Sequence, residues 1–295
     1  MRIFLTGATG FIGEAIVREL LTAGHQVIGL ARSDAGAKSL IAAGARAHRG
    51  DLEDLESLRS GAAASDGVIH CAFNHDFSKY AANCEADRHA VEALGSALAG
   101  SDRPLVVTSG TAVALTPGRL ATEDDAPISS SAGMPRSASE EAAAALVSRG
   151  VRASVVRLPQ VHDRVKHGLV TYAITVAREK GVSAFVGDGL NRWPAVHLLD
   201  AARLYRLALE KGSAGARYHA VAEQGVSLRD IADAIGRRLN VPVVAKSPEE
   251  AAAHFGWLGF FVGFDAPASS ALTQERLGWR LTQQPGLIAD LDRPD

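Results

Sequence analysis

The sequence predicts an α/β protein: a doubly wound parallel sheet of the Rossmann type with a smaller, mostly helical C-terminal lobe. Three observations carry that expectation. Short, nearly continuous apolar runs alternate with longer segments of helical spacing through the first half, the pattern of strands covered by helices on both faces. A glycine-rich turn stands between the first apolar run and the first helical pattern. The length, 295 residues, accommodates about two lobes at roughly 150 residues each.

Each element has its own signal. Residues 2–6 read as a strand, and 11–23 as a helix because Ile12, Ile16, Leu20 and Leu21 share a face and Gly24 can end it. Strands follow at 26–31 and 45–48, with a helix at 34–43 between them. Residues 53–60 open as an acidic helix, 67–72 as a strand, 78–99 as a long amphipathic helix, 104–109 as a strand, 137–149 as a helix and 152–158 as a strand. Beyond residue 160 the rhythm loosens. Helices fit 168–179, 198–211 and 227–240, the last opened by Ser227 as N-cap. The expected division is a cofactor domain over 1–165 and a substrate lobe over 166–295, interleaved through a strand near 217–221 that returns to the main sheet.

Composition narrows the function classes. Apolar residues make up 47% of the chain and charged residues 22%, enough apolar surface to bury a core. A formal charge of −2 and 5% aromatic residues argue against nucleic acid as a partner. Two cysteines, Cys71 and Cys84, are too few for a disulfide framework and suit a cytoplasmic setting. No apolar run reaches the roughly 18–20 residues of a membrane span, and no metal-ligand spacing is present, His70, Cys71, His75 and Asp76 included.

The strongest motif is Thr6-Gly7-Ala8-Thr9-Gly10-Phe11-Ile12-Gly13. Gly7 permits a tight turn out of the strand, Gly10 lets backbone approach a pyrophosphate, and Gly13 lets the helix pack closely on the sheet. Free N–H groups at the helix start then face the anion. The second strand ends in Leu30-Ala31-Arg32-Ser33, where an NAD-selective site places a carboxylate. Arg32 pairs with a 2′-phosphate and Ser33 donates to it, so the expected cofactor is NADP(H). Asp51 either accepts from the adenine amino group, with Leu52 on the ring, or caps the following helix.

With these residues, Gly50-Asp51-Leu52, Val107-Thr108-Ser109-Gly110-Thr111, Val156-Arg157-Leu158-Pro159-Gln160-Val161-His162 and Trp193-Pro194-Ala195-Val196-His197-Leu198-Leu199-Asp200, the chain resembles the extended, epimerase-like branch of the short-chain dehydrogenase/reductase superfamily. The resemblance implies cofactor contacts at Gly7, Thr9, Gly10, Phe11, Ile12, Gly13, Arg32, Ser33, Asp51, Leu52, Cys71, Ala72, Phe73, Thr108, Pro159 and Val161. It also implies a small-molecule substrate and a homodimer packed through the helices at 78–99 and 137–149.

The sequence departs from that family at its reaction centre. The family uses a Tyr and a Lys four residues apart on one helix; aligned on that pattern, Arg136 falls at the Tyr and Glu140 at the Lys, and no tyrosine lies between Tyr80 and Tyr172. Gly110 falls at the usual hydroxyl position, flanked by Ser109 and Thr111, which either position a carbonyl or satisfy local backbone groups. Arg136 can stabilise a developing alkoxide. His162 and His197 are the candidates that titrate near neutral pH, with Tyr80 and Tyr172 behind them. The apolar stretch His254–Phe261 can wall a hydrophobic pocket or form core. The leading expectation is an NADP-dependent reductase of a small to medium apolar carbonyl compound. A non-catalytic NADP-binding sensor and an isomerase or lyase with bound cofactor are the alternatives.

Overall fold

A computed structural model describes residues 1–283 and 285–293. Its main sheet is parallel and seven-stranded. The strands are β1 (Arg2–Thr6), β2 (Gln26–Ala31), β3 (Arg46–Arg49), β4 (Gly67–His70), β5 (Leu105–Gly110), β6 (Ala153–Leu158) and, from the C-terminal half, β10 (Arg217–His219). Their order is β10-β6-β5-β4-β1-β2-β3, so the chain reverses direction across the sheet between β1 and β4. The crevice outside the carboxyl ends of those two strands is where open α/β sheets bind ligands.

Side-chain alternation builds two cores from one sheet. Ile3, Leu5, Ile69 and Val106 face a layer made by α1 (Phe11–Thr22) and α7 (Leu198–Lys211). Phe4, Val68, Leu105 and Val107 face the other way, onto α3 (Leu55–Ala63), α4 (Tyr80–Ser96) and α5 (Ala138–Val147). Burial on both faces is why these strands read as continuous apolar runs. The remaining helix of this half, α2 (Asp34–Ala42), is capped by Ser33, whose hydroxyl accepts from Gly36 N–H at 3.1 Å.

The second half holds two small sheets that the sequence did not suggest. One has the order β11-β9-β7, from β7 (Gln160–His162), β9 (Arg192–His197) and β11 (Glu223–Ser227); the other pairs β8 (Ser183–Val186) with β12 (Val243–Lys246). They pack with α6 (Val170–Lys180), α8 (Leu228–Leu239), α9 (Pro248–Phe255) and α12 (Leu287–Leu291) around Trp193, Ile231, Phe255 and Leu287. The four residues of β8 and of β12, and the three of β7, are too short for periodicity to mark them. Two short helices, α10 (Gly259–Val262) and α11 (Ala271–Leu277), complete the described fold. Asp200, in the first turn of α7, is fully buried and accepts from Thr282 N–H and Oγ1, which moors the chain's last segment. No helix among the described residues is long and apolar enough to cross a membrane.

Candidate active site

The glycine turn runs from the end of β1 into α1. Gly7 has φ of +73°, and a Cβ there would lie 2.7 Å from Ala72 N; a Cβ on Gly13 would lie 1.9 Å from Gly7 O. Only backbone fits between β1, α1 and the end of β4. Among the described residues no side chain caps α1, whose N-cap is Gly10, so its first-turn N–H groups, which have no intrahelical acceptors, stay open. A cradle of this kind suits a pyrophosphate, and the residues present fit a dinucleotide. Thr9 lies beside the start of α2 (its Cγ2 is 3.2 Å from where a Gly36 Cβ would stand). The turn and the Arg32–Ser33 corner therefore border one space.

At that corner Arg32 is largely exposed, its Nε 3.9 Å from Asp51 Oδ2. Arg49, which the sequence reading passed over, ends β3 opposite Ala31 in register and stands 3.3 Å from Asp34. Its signal was present, because it directly precedes Gly50-Asp51. Asp51 does not cap the next helix: Asp54 does, accepting from Ser57 N–H, while Asp51 accepts from Glu53 N–H in a local turn. Leu52 is partly buried against the core. That corrects the capping alternative and moves the start of α3 to Leu55.

Arg136 is the hub of the opposite end. One guanidinium nitrogen donates to Asp87 Oδ2 at 2.7 Å and also to Ser139 Oγ, and the other donates to Thr108 O at 2.8 Å. The guanidinium carbon lies 4.5 Å from the centroid of the Phe73 ring. Behind it runs a buried chain. His70 Nε2–H donates to Asp87 Oδ1 at 2.9 Å, and Thr6 Oγ1, 2.8 Å from His70 Nδ1, also receives Ala72 N–H. Thr108 Oγ1 bonds His70 O and the Tyr205 hydroxyl. Residues from β1, β4, β5, α4 and α5 are thereby fixed to one another around the Cys71-Ala72-Phe73 strand end.

Electrostatics follow from this packing. Burial pushes the Asp87 carboxyl up, but the Arg136 and His70 charges outweigh it and hold it well below the usual carboxylate range. Burial also opposes the Arg136 charge, yet Asp87 raises its pKa above the ordinary value. Arg136 is thus a fixed cation, able to stabilise negative charge and unsuited to giving up a proton. Burial pushes the Cys71 and Cys84 thiols up to about 11, so both stay protonated at neutral pH. Tyr80 is likewise pushed up by burial, with Arg136 pulling against it; its phenol is a protonated donor.

The other candidates are placed less favourably. Glu140 does not reach the cleft: it forms a buried pair with Arg157, at 2.8 and 2.7 Å. His162 is 1% exposed on its side chain and donates through Nδ1 to Asp290 Oδ2 at 2.8 Å. That enclosure corrects its assignment as an acid, since substrate has no path to the ring. His197 is a helix cap, its Nδ1 accepting from Leu199 N–H at 3.2 Å. Ser109 is buried with Oγ unpartnered among the described residues, and Thr111 is buried at the start of the single turn after β5. Pro159 is partly exposed and Val161 lies in the core.

Facing Arg136, a wall of rings joins the two halves. Phe73 and Tyr80 are 6.3 Å apart, Tyr80 and Phe77 5.8 Å, and Phe77 stacks on Trp257 at 4.1 Å with 6° between planes. Tyr172 from α6 and Phe261 from α10 close on the same stack. Trp257 and Tyr172 each remain 38% exposed. The stretch at 254–261 is therefore both core, through Phe255 and Leu258, and wall, through Trp257 and Phe261. Among the described residues no group of His, Cys, Asp and Glu is arranged to hold a metal ion.

The model of the NAD dependent epimerase/dehydratase family matches residues 3–222. An uncharacterized protein of Schizosaccharomyces pombe is 52% identical over 99% of this chain and 98% of its own. A sterol-4-alpha-carboxylate 3-dehydrogenase (decarboxylating) of Dictyostelium discoideum is 28% identical over 77% of this chain and 73% of its own. Among solved structures, a dTDP-glucose 4,6-dehydratase from Streptomyces venezuelae, with NAD bound, superposes with a TM-score of 0.78 at 21% identity, covering 99% of this chain and 96% of that one.

Proposed function

The chain belongs to the NAD dependent epimerase/dehydratase family and is an NAD(P)-dependent enzyme; from that premise we propose that it is an NADP-dependent reductase of a small to medium apolar carbonyl compound. The observation that carries the reading is the fixed Arg136 cation set against an aromatic wall at the carboxyl ends of β4 and β5. Rings from both halves of the chain suit a flat apolar ligand better than a sugar nucleotide, which calls for many hydrogen-bonding groups. The sterol-4-alpha-carboxylate dehydrogenase relative, whose named substrate is a largely apolar ring system bearing one carboxylate, supports a ligand with a broad apolar face.

The nicotinamide cofactor, when bound, supplies the hydride. The chain's own groups do the rest. The α1 N-terminus and the glycine turn hold the pyrophosphate. Arg32, with Arg49 beside it, favours a 2′-phosphate over a bare ribose. Arg136 stabilises negative charge growing on the substrate oxygen, worth up to about 3–4 kcal/mol for one well-placed donor. Tyr80 gives that oxygen its proton, because its phenol stays protonated beside a permanent cation. Epimerisation and dehydration fit less well, since the family's paired Tyr and Lys are missing from α5. We also propose a cytoplasmic homodimer. Arg88, already paired with Glu85 and Glu92 on α4, gives that helix's outer face a charged character to be tested by sedimentation.

The test is NADPH oxidation against aryl ketones and quinones, with product analysis of dTDP-glucose and UDP-glucose incubated with the protein and NAD or NADP. Turnover of an apolar carbonyl, lost in Tyr80→Phe and Arg136→Met with NADPH still bound, is expected. Conversion of a nucleotide sugar, or full activity in Tyr80→Phe, overturns the reading of substrate or of proton donor respectively.

A further inference from the structure

The turn after β7 carries a cation to the mouth of the glycine loop. Asp163 Oδ1 accepts from the N–H groups of Val165 at 2.7 Å and Lys166 at 2.8 Å, and Asp163 N–H donates to Lys166 O at 2.9 Å. A bridge between His162 and His167 closes the loop behind them. The turn is therefore held in shape by its own hydrogen bonds and anchored by β7, which pairs with β9. It presents Lys166 with Nζ 5.5 Å from the centroid of the Phe11 ring. Phe11 is the first residue of α1, so the ammonium stands beside the residue whose backbone N–H opens the anion cradle. Lys166 is exposed.

We propose that Lys166 is a diphosphate ligand, a cation held by the Asp163 turn across the glycine loop so that a bound dinucleotide's pyrophosphate is gripped between it and the α1 N-terminus. The inference rests on the dinucleotide reading of the glycine turn. A helix N-terminus supplies partial charge and N–H donors, equivalent to about half an elementary charge, whereas a diphosphate carries two full negative charges. The glycine loop contributes no cationic side chain of its own: Gly7 to Gly13 holds none. An ammonium from the C-terminal half supplies the missing charge, and it couples the two halves of the chain through the cofactor. The Phe11 ring holds the ammonium over the loop by a weak cation–π attraction, which leaves its N–H donors available to an anion.

The experiment measures NADPH binding by fluorescence to the wild type, Lys166→Met and Lys166→Arg at low and high salt, with adenosine 2′-monophosphate as the probe that lacks a pyrophosphate. Lys166→Met is expected to weaken NADPH roughly tenfold at low salt, the size of one lost charge-assisted hydrogen bond. The difference is expected to shrink as salt rises, and Lys166→Arg is expected to restore most of it. The melting temperature of the free protein and the affinity for adenosine 2′-monophosphate should not change. Asp163→Ala, which frees the turn, should reproduce part of the loss. Wild-type NADPH affinity in Lys166→Met at low salt, or an equal loss for adenosine 2′-monophosphate, overturns the assignment of Lys166. A wild-type protein that binds neither NADPH nor NADH overturns the dinucleotide reading itself.

Discussion

Asp87 is the residue on which the Arg136 hub depends, and replacing it with Asn gives a sharp test of the site's construction. Its carboxylate is 1% exposed and Arg136 is 12% exposed on its side chain. Asp87 is also the acceptor for His70 and for Ser139 Oγ at 2.5 Å. Asn keeps the shape and removes the charge, leaving a nearly buried guanidinium without its counter-ion. Breaking one side of such a pair costs about 3–5 kcal/mol. At roughly 2–4 °C per kcal/mol for a chain of this size, melting should fall on the order of 10 °C. Thermal unfolding followed by circular dichroism reads this directly. Replacing both partners, Asp87→Asn with Arg136→Met, removes the unpaired guanidinium while the Asn side chain still accepts from His70, and is expected to recover more than half of the loss. The pH dependence has a definite sign. The folded carboxyl titrates below its ordinary range, so its contribution is intact above pH 4, near the unfolded value, and is lost only as pH falls through the lowered one. A melting temperature for Asp87→Asn within about 2 °C of wild type, or a double variant worse than the single, would refute the reasoning.

Three further outcomes are expected. Gly13→Ala puts a Cβ 1.9 Å from Gly7 O; it should displace the cradle and abolish NADPH binding in a fluorescence titration, while Gly24→Ala, just past the far end of α1 with φ of +82° and no atom near its Cβ, should cost some stability but leave binding unchanged. Arg32→Glu should reverse the preference between NADPH and NADH, measured as the ratio of their dissociation constants, by roughly tenfold or more; an unchanged ratio removes Arg32 from the 2′-phosphate site. Acid should destabilise the protein from pH 6.5 downward. Burial, then the Arg157 charge, lowers His219 to about 3, and burial, then Arg238, lowers His167 to about 4. Both rings stay neutral when folded and charge only when unfolded, so each costs up to about 1.4 kcal/mol per pH unit. Urea midpoints that do not fall between pH 7 and 5 count against that accounting.

What the sequence determined by itself is the cofactor half. Apolar runs buried on both faces, helices between them and a glycine turn at the first crossover are local signals, and each is set by neighbours a few residues away. Arg217–His219 could be foreseen as a returning strand because its pattern, too, is local. Only the tertiary structure decided the proposed reaction centre. Arg136 acquires its role from Asp87 on another helix, Thr108 on a strand and Phe73 on a loop, and no spacing in the chain encodes those meetings. The same holds for His162, a plausible acid by position in a motif and a sealed structural group beside Asp290, 128 residues away. Tyr80 gained importance for the converse reason, the start of α4 standing near enough to Arg136 for the phenol to feel its charge. Periodicity reports which face of an element is apolar; which elements then share a charge is settled by the long-range packing that buries them together.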